Sequence, residues 1–285
     1  MRMRATLGVV TGALALSAFA VPVAQADSPA PGNTIELPSA AEFADAPGSR
    51  SALSTAEAVP TVSNVTINSG KSVVVGSTTA KTFTVSVTAS HSSGIYSSYF
   101  YLWHGADSEN VDGFLGSADP GTCTDSSATT STCKFTVTAE PGTDLYKNAL
   151  AGTWKAYVAV ISNDGDLYEN ETYKTHKVQR LSKLTVNASP EPVAKGKTIT
   201  VTGSLTRANW ETGSYSGLPS GQSVALQFRK AGTTNYTNVK GIKTATGGAL
   251  KTTVTASTDG YYRFSYAGIT STAPVSAAGD YVDVR

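Results

Sequence analysis

Residues 82–89 read Thr-Phe-Thr-Val-Ser-Val-Thr-Ala, with apolar side chains at every second position and hydroxyl side chains between them. Since successive side chains of a β-strand point to opposite faces, this alternation predicts a strand with one buried and one solvated face. The same period returns at residues 135–138, 154–161, 198–205, 223–229 and 261–266. Beyond residue 60 no convincing helical period exceeds two turns, so the sequence predicts an all-β protein.

Glycine-containing turn signals separate these runs at short intervals, among them Asp259-Gly260. Six or seven short strands in each unit of roughly a hundred residues are typical of an immunoglobulin-like β-sandwich. The sequence therefore predicts two tandem sandwiches of this kind, spanning residues 61–180 and 181–285. The short join at residues 178–181 predicts that they sit end to end with limited hinge freedom.

The N-terminal segment predicts export. Arg2 and Arg4 precede an uncharged, apolar run, and residues 24–26 read Ala-Gln-Ala. A basic start, an apolar middle and a small-residue exit are typical of a secretory signal peptide, here residues 1–26. Residues 27–60 are rich in Ala, Pro and Ser without periodicity, which predicts a flexible, disordered leader. The mature protein is therefore predicted to be secreted, with no membrane segment after cleavage.

The charge balance excludes some classes of partner. Loss of Arg2 and Arg4 with the signal peptide changes the formal net charge from +1 to −1. A near-neutral chain offers no basic face for the phosphates of nucleic acid or for anionic lipids. The partners that remain are an extracellular protein or a cell-wall glycan.

Cys123 and Cys133 are the two cysteines of the chain. An oxidising compartment favours a disulfide between them. A metal site is the alternative, but two thiolates need further ligands, and no other Cys or His lies close in sequence. We predict a disulfide that stabilises the fold by about 2–3 kcal/mol.

Catalytic motifs are not found in the sequence. The histidines at positions 91, 104 and 176 form no metal-binding motif, and there is neither a Gly-x-Ser-x-Gly elbow nor a phosphate-binding loop. We therefore predict that the protein is not an enzyme. An exported hydrolase or a hydrolase inhibitor is the alternative. A histidine beside a carboxylate in a pocket would favour the hydrolase, and a protruding rigid loop would favour the inhibitor.

Acidic residues cluster at a predicted hairpin tip, where Asp164-Gly165 is typical of a type I′ turn. Calcium takes six to eight oxygen ligands, so Asp164, Asp166 and Glu169 are candidate calcium ligands if they converge with a second acidic loop, such as residues 107–112. Neither run has EF-hand spacing. The alternative is a tight turn and a solvated loop, and we expect no other cofactor.

Aromatic residues are concentrated in two places. Residues 96–103 carry rings on both faces of one strand, so one face should belong to the core and the other should be covered or exposed. Residues 207–221 are longer than a simple strand connection needs, and they contain Trp210 and Tyr215. These two rings are candidate ligand-binding residues. Packing of the segment over the end of the sandwich is the alternative.

Several short motifs follow one another in residues 181–285. They are Gly-Gln-Ser-Val-Ala-Leu (221–226), Tyr-Thr-Asn-Val (236–239), Thr-Ala-Thr-Gly-Gly (244–248), Tyr-Tyr-Arg-Phe (261–264) and Val-Asp-Val (282–284). This series resembles the immunoglobulin-like repeat of secreted actinobacterial proteins. The resemblance implies a sandwich fold and an extracellular accessory, adhesive or substrate-holding role, without catalytic residues. Some similar whole proteins are labelled calcium-binding. The combined prediction is a secreted, non-enzymatic binding or structural module, with a calcium-binding version as an alternative.

Overall fold

The computed structural model describes residues 37–38, 59–116 and 119–285, which form two β-sandwiches and a short covering segment. The predicted signal peptide and most of the predicted leader lie outside the described residues. Within the described residues, no helix is both long and apolar enough to cross a membrane.

The first sandwich consists of nine strands. They are β1 (Thr61–Ile67), β2 (Val73–Val75), β3 (Lys81–Ser90), β4 (Ile95–Gly105), β5 (Val111–Gly116), β6 (Thr122–Ser127), β7 (Thr130–Ala139), β8 (Gly152–Ser162) and β9 (Leu167–Arg180). One sheet has the order β1-β3-β7-β6 and the other β2-β9-β8-β4-β5. With β2 and β5 lettered as A′ and C′, these orders read A-B-E-D and A′-G-F-C-C′. This is the strand order of an immunoglobulin domain.

The second sandwich has ten strands. They are β10 (Ser182–Leu184), β11 (Asn187–Ser189), β12 (Thr198–Asn209), β13 (Ser214–Gly217), β14 (Ser223–Lys230), β15 (Thr237–Lys243), β16 (Ala249–Thr255), β17 (Gly260–Tyr266), β18 (Val275–Ser276) and β19 (Asp280–Val282). Strand β12 pairs with β10, β11, β13 and β16, and the facing sheet has the order β15-β14-β17-β18 with β19 also on β17. The layers correspond to A-B-E and C′-C-F-G. The predicted all-β fold of two immunoglobulin-like sandwiches is confirmed.

The alternation in the sequence decides which side chains enter the cores. On β3, Phe83, Val85 and Val87 are buried between the sheets, while the threonines and serines between them remain at least partly accessible. On β12, Ile199 and Val201 are likewise buried between the sheets of the second sandwich. Burial of such side chains is the main contribution that stabilises each sandwich.

The predicted disulfide is confirmed. Cys123 on β6 is bonded to Cys133 on β7, and the two residues face each other directly in the β6–β7 hairpin. The bond therefore reinforces a pairing that the sheet already makes, at the edge of the A-B-E-D sheet.

Residues 207–221, predicted as a long connection between strands, instead contain a β-hairpin, so that prediction is wrong. Strand β12 continues to Asn209, and β13 pairs back onto it. The turn uses Gly213 at φ 65°, a conformation that glycine adopts without steric cost. The sequence hides this hairpin because its residues are mostly polar and only Ala208 and Trp210 supply fully buried side chains before the turn.

This hairpin connects the two sandwiches. Trp210 is 1% exposed and belongs to the hydrophobic core of the first sandwich, although the chain places it in the second. Ala208 is part of the same core, and Tyr215 packs against it. The core of the first sandwich is thus completed by residues of the second.

Asn148, in the loop between β7 and β8, makes the polar contacts of this joint. Its Oδ1 accepts hydrogen bonds from Arg180 Nη1 at 2.8 Å and from the Trp210 backbone N–H at 3.0 Å. Its Nδ2 donates to Asn209 Oδ1 at 2.7 Å, and its backbone N–H donates to Glu211 Oε1 at 2.8 Å. Because these partners come from both sandwiches, any hinge motion at the joint would leave several polar groups unsatisfied.

The backbone passes from one sandwich to the other without a loose linker. The Leu181 N–H donates to Val75 O in the first sandwich, and Leu181 O accepts from Ala208 N–H in the second, both at 2.8 Å. Arg180 O accepts from the N–H of Ala273 at 3.0 Å. We conclude that the two sandwiches are held in one fixed relative orientation.

Replacing Trp210 with alanine should lower the free energy of unfolding by about 3–5 kcal/mol, because it removes a buried ring and leaves a cavity. The melting transition of the first sandwich should shift, although the altered residue lies in the second, and scanning calorimetry would show this. Val239→Ala, at a site that is 41% exposed, is the control and should change stability by less than about 0.5 kcal/mol. If the melting transition of the first sandwich does not change in Trp210→Ala, the Trp210 ring does not stabilise that sandwich.

Candidate functional site

Three turns meet at the end of the first sandwich that lies opposite the joint. They are residues 91–94 between β3 and β4, residues 128–129 between β6 and β7, and residues 163–166 between β8 and β9. Strand β8 begins beside the joint at Gly152 and ends at Ser162 in this group of turns. We call it the loop end. In immunoglobulin variable domains, the corresponding B–C and F–G turns carry recognition.

Backbone hydrogen bonds lock the turns of the loop end together. The His91 N–H donates to Thr129 O at 2.9 Å, and the Gly94 N–H donates to His91 O at 3.0 Å. The Asn163 N–H donates to Gly94 O at 3.2 Å, and Asn163 Nδ2 donates to Ser93 O at 2.7 Å. The turns are therefore positioned by one another as well as by their strands.

The turn between β8 and β9 confirms the predicted hairpin but not its predicted type. A type I′ turn needs positive φ at both central residues. Here Gly165 alone has positive φ, at 90°, and its N–H donates to Ser162 O at 3.1 Å. The left-handed conformation falls on glycine, where it costs least. Asp164 therefore lies at the tip of the turn, and Asp166 immediately precedes β9.

These turns bring one imidazole and two carboxylates together. The ligand atoms of His91, Asp164 and Asp166 all lie within 4.8 Å of one another. The His91 side chain is 2% exposed, and its Nε2 lies 3.5 Å from Asp166 Oδ2. This exceeds the usual N–H···O distance, and within the described part of the chain neither atom makes a hydrogen bond.

The orientation of the His91 ring is set by its other nitrogen. Nδ1 lies 2.8 Å from Ser93 Oγ and 3.3 Å from the Ser93 backbone nitrogen. Both contacts come from the same short turn, so the ring cannot rotate without losing them. Nε2 consequently points toward the two aspartates.

Of the three predicted calcium ligands, the structure brings two together. Glu169 lies outside the group and accepts a hydrogen bond at 2.6 Å from the hydroxyl of Tyr157. Burial, followed by this contact with Glu169, raises the pKa of Tyr157 well above its usual value. A donor set that contains a buried imidazole and only two carboxylates does not suit calcium, which prefers a shell of oxygens.

The second acidic loop is held by hydrogen bonds of its own. Asp107 Oδ1 accepts from Asn110 Nδ2 at 2.7 Å and from the Asn110 N–H at 2.9 Å. The side-chain contact with Asn110 lowers the pKa of Asp107 below its usual value. Asp112 pairs with His104 Nδ1 at 2.5 Å. In the described chain this loop does not join Asp164 and Asp166.

The predicted aromatic ligand residues lie at the joint rather than at the loop end. Trp210 is buried and offers no ring face to a sugar or peptide. Tyr215 is half-buried, and the Lys183 ammonium lies 3.6 Å from its ring centroid. Burial raises the pKa of Tyr215. The structure matches the alternative, in which this segment packs over the end of a sandwich.

The aromatic strand β4 divides its rings between two faces. Phe100 enters the core, whereas Tyr101 and Trp103 lie on the outer face with Tyr157 of β8. The Tyr101 and Tyr157 rings stack with centroids 4.2 Å apart. Leu37 packs against this outer cluster.

The predicted leader is therefore attached to the first sandwich at its described residues 37–38. In addition to the Leu37 contact, the Tyr101 hydroxyl donates to Pro38 O at 3.1 Å. Leu37 supplies apolar surface that packs against the outer rings. The composition of the leader, rich in Ala, Pro and Ser without periodicity, does not predict this contact.

His91 and Ser93 were missed by sequence reasoning. Each lies in a short turn without a motif, and nothing in the spacing connects position 91 with position 164. The signal that could have found them is the immunoglobulin strand order, which places the turn after strand B beside the turn after strand F.

No family model matches the chain, and no curated protein sequence matches it. Solved structures show distant likeness. Red sea bream transglutaminase is 12% identical with a TM-score of 0.29, covering 81% of this chain and 32% of its own. The D0-D1 domains of intimin are 17% identical with a TM-score of 0.26, covering 79% and 99%. The D00-D0 domains of intimin are 13% identical with a TM-score of 0.24, covering 77% and 99%.

The chain thus spans about a third of the transglutaminase it is compared with. These TM-scores show only a distant overall likeness, whereas the strand order of the two sandwiches is immunoglobulin-like. The resemblance of residues 181–285 to an actinobacterial repeat stays a prediction.

Replacing Gly94 with alanine should destabilise the loop end. Gly94 has φ +87°, and an added Cβ would lie 2.7 Å from Asn163 Nδ2 and 3.0 Å from Ala128 O. Gly70→Ala is a matched control, because Gly70 has φ +77° with nothing within 4 Å. The control should cost about 1–2 kcal/mol for backbone strain, and Gly94→Ala at least about 1 kcal/mol more for the collision. If urea denaturation gives the same loss of unfolding free energy for Gly94→Ala and Gly70→Ala, the turns of the loop end are not packed tightly against one another.

Proposed function

We propose that the protein is a secreted, non-enzymatic binding module at the cell exterior, which holds the loop end of its first sandwich toward an extracellular partner. The observation that carries this proposal is the joint, in which Trp210 and Asn148 fix the two sandwiches and leave the opposite end accessible. The predicted signal peptide and the disulfide support export. An extracellular protein or a cell-wall glycan would be the partner.

Exposed side chains near the loop end support a role in recognition. Tyr96 is 46% exposed near the start of β4, and Leu167 is 36% exposed at the start of β9. Asp164 is exposed at the tip of the turn between β8 and β9. Aromatic and aliphatic anchors beside a few polar groups are typical of protein interfaces, in which a small number of residues supplies most of the affinity.

Tyr96→Ala should weaken the binding of the immobilised protein to cell-wall and culture fractions by about tenfold or more, as expected for a hot-spot tyrosine. Tyr281→Ala is the matched control, since Tyr281 is a tyrosine of similar exposure, 40%, in the second sandwich. Bound material would be quantified over a dilution series. Equal losses in both variants, or no loss with Tyr96→Ala, would reject the loop end as the binding surface.

A hydrolase is the second candidate, because Ser93 Oγ, the His91 ring and Asp166 follow one another as in a Ser-His-Asp triad. The neighbouring backbone donors argue against it. The Ser93 N–H faces His91 Nδ1, and the Gly94 N–H donates to His91 O. In the tautomer that a hydrolase needs, with Nδ1 of His91 accepting, the two N–H groups beside Ser93 that could stabilise an oxyanion are therefore occupied.

Hydrolysis of p-nitrophenyl acetate would decide between the two functions. We expect the protein to release p-nitrophenol no faster than Ser93→Ala does, because both N–H groups beside Ser93 are occupied when Nδ1 of His91 accepts. A hydrolysis rate that falls about a hundredfold or more in Ser93→Ala would instead establish a serine hydrolase and remove the non-enzymatic proposal.

A further inference from the structure

We propose that His91, Asp164 and Asp166 bind a divalent transition-metal ion, with Zn²⁺ the best fit. This inference goes beyond the proposed function and does not depend on it, since an ion can bind whether or not a macromolecular partner does. The proposed metal site differs from the calcium site expected from the sequence, because the imidazole of His91 and not the carboxylate of Glu169 joins Asp164 and Asp166.

The separation between His91 Nε2 and Asp166 Oδ2 fits a shared ion better than it fits a hydrogen bond. The two atoms are 3.5 Å apart. An N–H···O bond would bring them to about 2.7–3.2 Å. Ligands on a tetrahedral zinc ion, with bonds of about 2.0–2.2 Å, lie roughly 3.4 Å from each other. The observed spacing is therefore that of two neighbouring ligands.

Both of these atoms are buried without a hydrogen-bond partner in the described residues. A buried polar atom that makes no hydrogen bond is costly, and native proteins usually satisfy such atoms with a partner, a water or an ion. His91 is 6% exposed, and its Nε2 points into the group formed with Asp164 and Asp166. A metal ion would satisfy both atoms at once.

The other side of the His91 ring suits metal binding. With Nδ1 protonated, the ring donates to Ser93 Oγ at 2.8 Å and presents the lone pair of Nε2 to the ion. A hydrogen bond on the far nitrogen is the usual device that orients a metal-binding histidine. In this tautomer Nδ1 no longer accepts a hydrogen bond from the Ser93 N–H, whose nitrogen lies 3.3 Å away.

The third ligand is the adjustable one. The ligand atoms lie within 4.8 Å of one another, so the Asp164 carboxylate needs to move by at most about 1.4 Å to reach the spacing of ligands on a tetrahedral ion. Asp164 is exposed at the tip of the turn, where its side chain can rotate without repacking the core. Two carboxylates carry two negative charges beside a neutral imidazole, which balances a divalent cation.

The donor types select the class of metal. Imidazole suits Zn²⁺ and its transition-metal neighbours, whereas Ca²⁺ and Mg²⁺ prefer oxygen ligands throughout. Three protein ligands leave one position of a tetrahedral ion for water or for a group on a partner. At the loop end, such a position would face the surface that we propose for recognition.

The test is titration of the EDTA-treated protein, residues 27–285, with ZnCl₂ by calorimetry and by thermal melting. We expect one equivalent to bind with a rise in Tm, and CaCl₂ at the same concentrations to produce neither effect. Co²⁺ should give the visible absorption bands of a tetrahedral site, a readout that follows from coordination geometry alone. The absence of heat, of a Tm shift and of Co²⁺ bands would overturn the proposal.

Three variants locate the site. Asp164→Asn should weaken Zn²⁺ binding by tenfold or more, since even the loss of an outer hydrogen-bond partner costs about 10–100-fold. His91→Gln should abolish binding, and if that buried change prevents folding, the exposed Asp164→Asn still decides. Glu169→Gln is the matched control and should bind Zn²⁺ as the parent does. Unchanged affinity in Asp164→Asn, or a loss in Glu169→Gln equal to it, would place the ion elsewhere and reject this site.

Discussion

The relative position of the two sandwiches depends on the side-chain amide of Asn148. Its oxygen accepts hydrogen bonds from Arg180 and from the backbone of Trp210, which places the Trp210 ring inside the core of the neighbouring sandwich. Apolar burial supplies the free energy of the joint, and the directional amide contacts select one orientation out of the many that a buried ring would allow. The accessibility of the loop end depends on this arrangement.

The opposite end depends on strand order. In an immunoglobulin sandwich, the turn after strand B and the turn after strand F meet, although about seventy residues separate them here. His91 and Asp166 approach each other for that reason, and Asn163 then locks the two turns with hydrogen bonds to Ser93 and Gly94. A buried nitrogen and a buried carboxylate oxygen are left facing each other at a distance too long for a hydrogen bond.

The group of His91, Asp164 and Asp166 could support three chemistries, and the residues around it distinguish between them. Ser93, His91 and Asp166 follow one another as in a hydrolase triad, but when Nδ1 of His91 accepts, as that triad requires, the Ser93 N–H donates to it, and the Gly94 N–H donates to His91 O. Calcium would need more oxygen ligands than Asp164 and Asp166 provide, and Glu169 is held by Tyr157. A transition metal requires only the imidazole and the carboxylates that the turns bring together.

The sequence by itself determined the all-β class, the two sandwiches and the disulfide, because alternation of period two, turn residues and a lone cysteine pair are local signals. It could not reveal that residues 207–217 form a hairpin, since these polar strands are held in place by the Trp210 ring, which packs in the core of the first sandwich. Nor did a local pattern join His91 to Asp164, because their contact follows from the strand order, which brings the turns after strands B and F together. Only the tertiary structure decided the joint and the site, since both are made by packing between elements far apart in the chain.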